Sequence, residues 1–175
     1  MHATPDNTLI RNAQTQDAAE LADLYNHYIL NTPITFDTEP YTVEARAQWM
    51  QQFNTTGRHR LLVAEHEGRV IGYACSQQFR PKRGYDTSIE TSIYLHHNTT
   101  ARGLGSQLYT ALFDVLKDEH IHRAYAGVTL PNEASVSLHK KFGFQELGVF
   151  NEVGFKMDQY WSVQWLEKTV SHATG

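Results

Sequence analysis

The sequence predicts one mixed α/β sheet domain, on three observations. Apolar residues alternate with period two in several short runs, and these runs are interleaved with segments of helical period. A Gly-x-Gly turn, Gly103-Leu104-Gly105, joins a strictly alternating strand to the helix with the clearest apolar face. No internal repeat, low-complexity tract or linker breaks the chain, so its 175 residues form a single domain of ordinary size. The order β-α-α-β-β-β-α-β-α-β-β describes one sheet with helices against it.

Thr8 to Ala13 reads as a short first strand. Thr15 or Asp17 caps a helix whose apolar positions Ala18, Leu21, Ala22, Tyr25, Tyr28 and Ile29 keep helical spacing, and which stops before Pro33. The loop from Thr32 to Pro40 carries Ile34 and Phe36, two apolar side chains that a merely solvated connection does not need. Thr42 caps a second helix to about Asn54. Leu61 to Ala64 and Val70 to Cys75 flank a turn in which Gly68 is free to take positive φ, the pattern of a β-hairpin. After the glycine-turn helix, Ala124 to Leu130 is a strand, and Pro131-Asn132 starts a short helix ending at Gly143. Two strands follow, and Trp161, Val163 and Trp165 alternate on one face of the last, where buried core is the expected surrounding and a dimer surface the alternative. Residues 1–7 and 168–175 read as loose ends around a domain spanning 8–167.

Bulk properties narrow the partners. The chain has 41% hydrophobic and 19% charged residues, as a globular protein does. A net charge of -4, with no Lys/Arg stripe, argues against nucleic acid as the main partner. The one basic knot, Arg80 to Arg83, is short enough to serve a single anionic ligand. No stretch approaches the ~20 apolar residues of a membrane span, and no signal-peptide core is present. The single Cys75 cannot form an internal disulfide, which fits a reducing cytoplasm, and its apolar setting reads as a buried structural thiol. Ten histidines lack a companion Cys or carboxylate cluster at metal-ligand spacing, so no metal is expected.

The chemistry concentrates between Thr87 and Ser106. Alternation places Ile89, Thr91, Ile93 and Leu95 on one face of a strand and Ser88, Glu90, Ser92 and Tyr94 on the other, so a carboxylate sits mid-strand near a tyrosine. The Gly-x-Gly turn then opens a helix with free backbone N–H groups and a positive dipole end, where a phosphate would bind.

These segments, together with Asn26-His-Tyr-Ile, Phe36-x-Thr-Glu-Pro40, Tyr85-Asp-x-x-Ile-Glu-x-Ser-Ile-Tyr-Leu95, Leu130-Pro-Asn-x-x-Ser-x-x-Leu-His139, Phe142-Gly-Phe and Gly154-Phe-Lys156, make the chain resemble the Gcn5-related N-acetyltransferases. The likeness is nearest to the branch acting on phosphinothricin and methionine sulfoximine, and it covers about Leu9 to Trp165. It implies a mostly antiparallel twisted sheet with a splayed central strand pair. It also implies acetyl-CoA as co-substrate, no metal, direct transfer in a ternary complex and a homodimer. The pyrophosphate turn maps onto Thr100, Ala101, Arg102, Gly103, Leu104 and Gly105, with Ser106 following, and it departs from the family at Thr100, where Gln or Arg is usual. Ile93, Tyr94 and Leu95 correspond to the strand that pairs with pantetheine, and Asn132 and Ser135 to the residues that bond its arm; helix capping is the alternative for the last two.

The same resemblance makes Glu90 the general base, assigns His139 an assisting role and lets Tyr94 donate to the leaving thiolate. Arg80, Pro81 and Lys82 fall in the stretch that binds the amino-acid acceptor, Lys156 in a second cationic position suited to a phosphinate or sulfoximine, and Phe36 and Tyr85 in the pocket wall. For Glu90 the alternative is a surface ion pair, for His139 packing or capping, for Tyr94 a pocket lining or plain core aromatic, and for Lys82 a solvated charge. Rival functions are acetylation of a peptide N-terminus, or a non-catalytic acyl-CoA-binding regulatory module. A polyamine acceptor is disfavoured by the Arg- and Lys-rich loop.

Overall fold

The computed structural model describes residues 8–99 and 102–170. Among the described residues seven strands form one sheet in the order β1-β2-β3-β4-β5-β7-β6: β1 Thr8–Asn12, β2 Arg60–His66, β3 Arg69–Gln78, β4 Ser88–Leu95, β5 Arg123–Thr129, β6 Gln145–Lys156 and β7 Gln159–Thr169. Every pairing is antiparallel except β4 with β5. The helices α1 Ala18–Asn31, α2 Val43–Met50, α3 Leu104–Leu116 and α4 Glu133–Lys141 complete the expected order.

Both faces of the sheet are covered, each by one pair of helices. Leu104, Leu108, Leu112 and Leu116 of α3 bury one stripe against Leu62, Ala74, Ile89 and Ala124, and Leu138 and Phe142 of α4 close that core. On the opposite face Leu21 and Leu24 of α1 and Trp49 of α2 pack against Leu61, Val63 and Tyr73. The alternation of β4 is therefore real on both sides: Ile89, Ile93 and Leu95 meet the α3 core, and Tyr94 meets the α1 cluster.

The structure refines several sequence expectations. Thr42 caps α2 by accepting the Ala45 N–H, but the helix ends at Met50 rather than near Asn54. Tighter bonds from the Gln51 N–H to Gln48 O and from Phe53 to Met50 turn the chain so that Phe53 reaches the core. At α1 neither expected residue caps by its side chain. The Asp17 carboxylate instead takes the Gln14 N–H and pairs with Arg11 at 2.7 Å, after a single 3-10 turn. The hairpin turn is Glu67-Gly68, both at positive φ as a two-residue turn requires. β7 continues to Thr169, past the expected domain limit at residue 167, because Thr169 pairs with Arg123 along β5. The tryptophans of β7 are not core. Val163, Gln164 and Leu166 are buried, so both faces of β7 reach the interior, while Trp161 and Trp165 are half-buried. The expectation for residues 1–7 and 171–175 lies outside the described residues.

Candidate active site

β4 and β5 run parallel only from Ser88–Arg123 to Glu90–Tyr125, and then part. The His96 N–H donates to Ile71 on β3, so by alternation the backbone groups of Ile93 and Leu95 point the other way, into the gap. Tyr28 takes the Leu95 carbonyl at 2.6 Å; the β5-facing edge of Ile93 lacks a ladder partner. A narrow cavity of about 50 Å³ occupies the gap, lined among others by Ile34, Thr91, Gly127, Asn132 and His139.

Glu90 stands at the last paired position, where the strands diverge. Partial burial pushes its carboxyl above the usual range, and the nearby Arg80 guanidinium opposes that shift. Arg80 is exposed and lies over the Phe79 ring at 4.3 Å, with its Nη1 donating to the Phe79 carbonyl. Phe79 in turn stacks on Tyr125 at 4.3 Å and meets Tyr85 edge-on. A carboxylate, a guanidinium and an aromatic wall thus share the mouth of the gap. Pro81 and Lys82, which follow Arg80, are exposed to solvent.

The side chain of Tyr94 points to the α1 face, ringed by Tyr25, Tyr28 and Tyr73. Burial, reinforced by the neighbouring Tyr73, pushes its hydroxyl far above the ordinary tyrosine range, so it stays a proton donor. His139 faces the gap from α4. Its Nδ1 lies 2.7 Å from the Ser135 carbonyl and its Nε2 2.8 Å from the Tyr109 hydroxyl, which also lies 3.3 Å from the Thr91 hydroxyl. Burial lowers the imidazole pKa, which keeps the ring neutral with its proton on Nδ1, toward the carbonyl. Tyr109 escaped sequence reasoning because its place in the apolar stripe of α3 reads as core.

The α3 turn has the geometry its glycines require: Gly103 at φ +85 is the residue before the helix, leaving the first-turn N–H groups of Leu104, Gly105 and Ser106 free of helical bonds. Thr100 and Ala101 lie outside the described residues. Arg102 is exposed, and the sequence did not foretell a second cation, Lys141, whose Nζ donates to Ser106 Oγ at 2.9 Å. Asn132 caps α4 by accepting the Ser135 N–H, and both residues also line the gap.

Phe36, expected in the acceptor pocket, lies against Gly154 of β6 and lines a groove of about 420 Å³ separate from the gap. Lys156 has a partner within the protein: its buried ammonium donates to the Thr35 carbonyl at 2.7 Å and thereby ties the 33–40 loop to β6. Burial lowers its pKa, and Asp37 works against that shift. A Cβ at residue 154 would collide with the Phe36 ring. Gly154→Ala is therefore expected to displace Phe36 and its loop, raising the acceptor KM several-fold and lowering the melting temperature by a few degrees, as overpacking by about 1–3 kcal/mol does; steady-state kinetics and a thermal melt check both.

The sheet thus parts between two parallel strands, with a glycine-started helix and a carboxylate at the gap. The family described as Acetyltransferase (GNAT) domain matches residues 10–165, and the chain belongs to it. It is 47% identical to the phosphinothricin N-acetyltransferase of Streptomyces coelicolor, over 91% of this chain and 94% of that protein. It is 31% identical to the L-methionine sulfoximine/L-methionine sulfone acetyltransferase of Salmonella typhimurium, over 91% and 90% of the two chains. The crystal structure of the Sinorhizobium meliloti phosphinothricin acetyltransferase in complex with acetyl-CoA superposes with a TM-score of 0.89 at 25% identity, covering 96% of this chain and 91% of that one.

Proposed function

We propose that the protein transfers acetyl from acetyl-CoA to the α-amino group of a small amino acid or analogue of the phosphinothricin, methionine sulfoximine or methionine sulfone type. The observation that carries this is the parted β4–β5 pair with Glu90 at its apex, because the acyl carbon and the base then meet at one point. The residues fit acetyl-CoA. The unpaired edge of Ile93 suits a pantetheine amide, the turn from Arg102 to Ser106 and the Lys141 ammonium suit the pyrophosphate, and Asn132 and Ser135 border the arm. Acetyl-CoA supplies the activated acyl group.

Glu90 takes the ammonium proton of the acceptor, directly or through a water, and the free amine attacks in a ternary complex. Cys75 is no rival nucleophile, since burial pushes its thiol up to about 12. Arg80 receives the α-carboxylate, with Tyr85, Pro81 and Lys82 at the entrance. Lys156 acts as the anchor of the Phe36 loop, given its bond to Thr35. His139 holds Tyr109 beside the gap, and Tyr109 or Tyr94 protonates the departing thiolate. A free, buried Cys75 and dependence on acetyl-CoA suit the cytoplasm.

The test is thiol release from acetyl-CoA against a panel of amino acids including methionine sulfoximine and phosphinothricin. Saturable turnover supports the reading; no turnover with acetyl-CoA still bound favours a peptide acceptor or a regulatory module.

A homodimer belongs to the same proposal. β6 is the sheet's edge and leaves Leu147, Phe150, Val153 and Phe155 more than half exposed, an apolar edge that a soluble monomer would not keep open. Light scattering is expected to give twice the chain mass, and Val153→Glu with Phe155→Glu the single mass; a wild-type monomer at micromolar concentration would end this part of the proposal.

A further inference from the structure

Arg46 of α2 is 1% exposed, and its Nε and Nη2 have no hydrogen-bond partner among the described residues. Its π-faces are satisfied: the guanidinium lies 3.6 Å from the Trp49 ring centre and 4.7 Å from that of Tyr25, and Tyr73 takes one of its bonds. In-plane donors are another matter. A buried guanidinium with open N–H groups is costly, and no carboxylate forms an ion pair with it among the described residues. The acid beside it, Asp37, accepts the Tyr25 and Tyr41 hydroxyls at 2.8 and 3.4 Å.

Arg46 borders a cavity of about 240 Å³ that also touches Asp37, Gln77, Ser92 and Tyr94. Gln77 is the cross-strand partner of Glu90, and Ser92 and Tyr94 follow Glu90 on the same face of β4, so the cavity opens beside the base and reaches Ser92 about 6.7 Å along the strand. A side chain of glutamate length spans a comparable distance. An acceptor with its amine at Glu90 and its α-carboxylate at the exposed Arg80 would therefore deliver its side-chain terminus to Arg46.

We propose that Arg46 is the specificity-determining residue that reads the oxygen-bearing terminus of the acceptor side chain, whether a sulfone, sulfoximine, phosphinate or carboxylate. This rests on the amino-acid reading above. The Asp37 charge in the same cavity limits the site to neutral-polar or singly charged termini, so a dianionic phosphonate of equal length should be a poor substrate.

The test compares methionine sulfone, whose terminus carries two oxygens, with norleucine, which is similar in length and apolar. Wild type is expected to favour the sulfone by at least about 10-fold in kcat/KM. Arg46→Gln should cut the sulfone value by about 10–100-fold, mainly through KM, with the loss for norleucine smaller by at least about 10-fold. Arg46→Lys, which keeps the charge but not the fork, should fall between, and calorimetric binding of the sulfone to the CoA-loaded protein should follow the same order. Equal losses for both acceptors in either variant, or no wild-type preference, would overturn the assignment. Absence of wild-type turnover on every amino acid would overturn the amino-acid reading instead, and sulfone binding unchanged in Arg46→Lys would then overturn Arg46 as well.

Discussion

Replacing Glu90 by glutamine is expected to lower kcat by about 10²-fold or more, the usual span for losing a positioned general base. The change preserves shape, so the strand register with Gln77 and Tyr125 should survive. The pH dependence identifies the cause. The active form is the carboxylate, and burial raises its pKa above the ordinary glutamate value, so kcat/KM should climb with pH along a limb displaced upward from that value. Glutamine should abolish this limb. Arg80→Ala should move it further up, because the opposing positive charge is gone. The stability sign runs the other way. A carboxyl whose folded pKa is raised binds its proton more tightly in the native state, so stability falls as pH rises through that window. Glu90→Gln should consequently melt at or above wild type at neutral pH, which separates lost chemistry from lost folding; full activity in the glutamine variant would remove Glu90 from the mechanism.

Much of this arrangement is legible in sequence because alternation is strict where it matters. β4 has both faces buried by different helices, yet its two residue sets stay distinct, Ile89, Ile93 and Leu95 against Glu90, Ser92 and Tyr94, so the position of the carboxylate follows from period two. The glycine turn is legible for a similar reason, as Gly103 needs a φ that side chains disfavour.

Illegible features depend on what crosses between elements. Arg46 lies on a helix with no apolar stripe, so nothing local announces that its guanidinium sits under Trp49 and Tyr25. Lys156 looks like a free cation until the Thr35 carbonyl, 121 positions away in sequence, is seen to hold it. The alternation of Trp161, Val163 and Trp165 is real, but period two cannot say how deep each residue lies, and only Val163 of the three is buried, together with Gln164 and Leu166 of the other face.

The acetyl-CoA side yields the other large effect, at Gly105. A Cβ there would meet Leu138 Cδ2 at 3.2 Å and Ile93 Cδ1 at 3.7 Å, two side chains that pack beside the gap. Valine adds two further methyl groups in the same direction, forcing α4 away from α3 and crowding the first-turn N–H groups on which the pyrophosphate reading depends. Gly105→Val is expected to weaken acetyl-CoA binding by at least about 10-fold, or 1.4 kcal/mol, with the acceptor KM less affected. Titration calorimetry with CoA measures this directly. Lys141→Ala supplies the comparison: it removes a charge without adding bulk, so its effect should be a few-fold and should fade as salt screens the site. CoA affinity unchanged in both variants would mean that the donor does not lie across the α3 turn, and the threading of the donor between β4 and β5 would have to be abandoned with it.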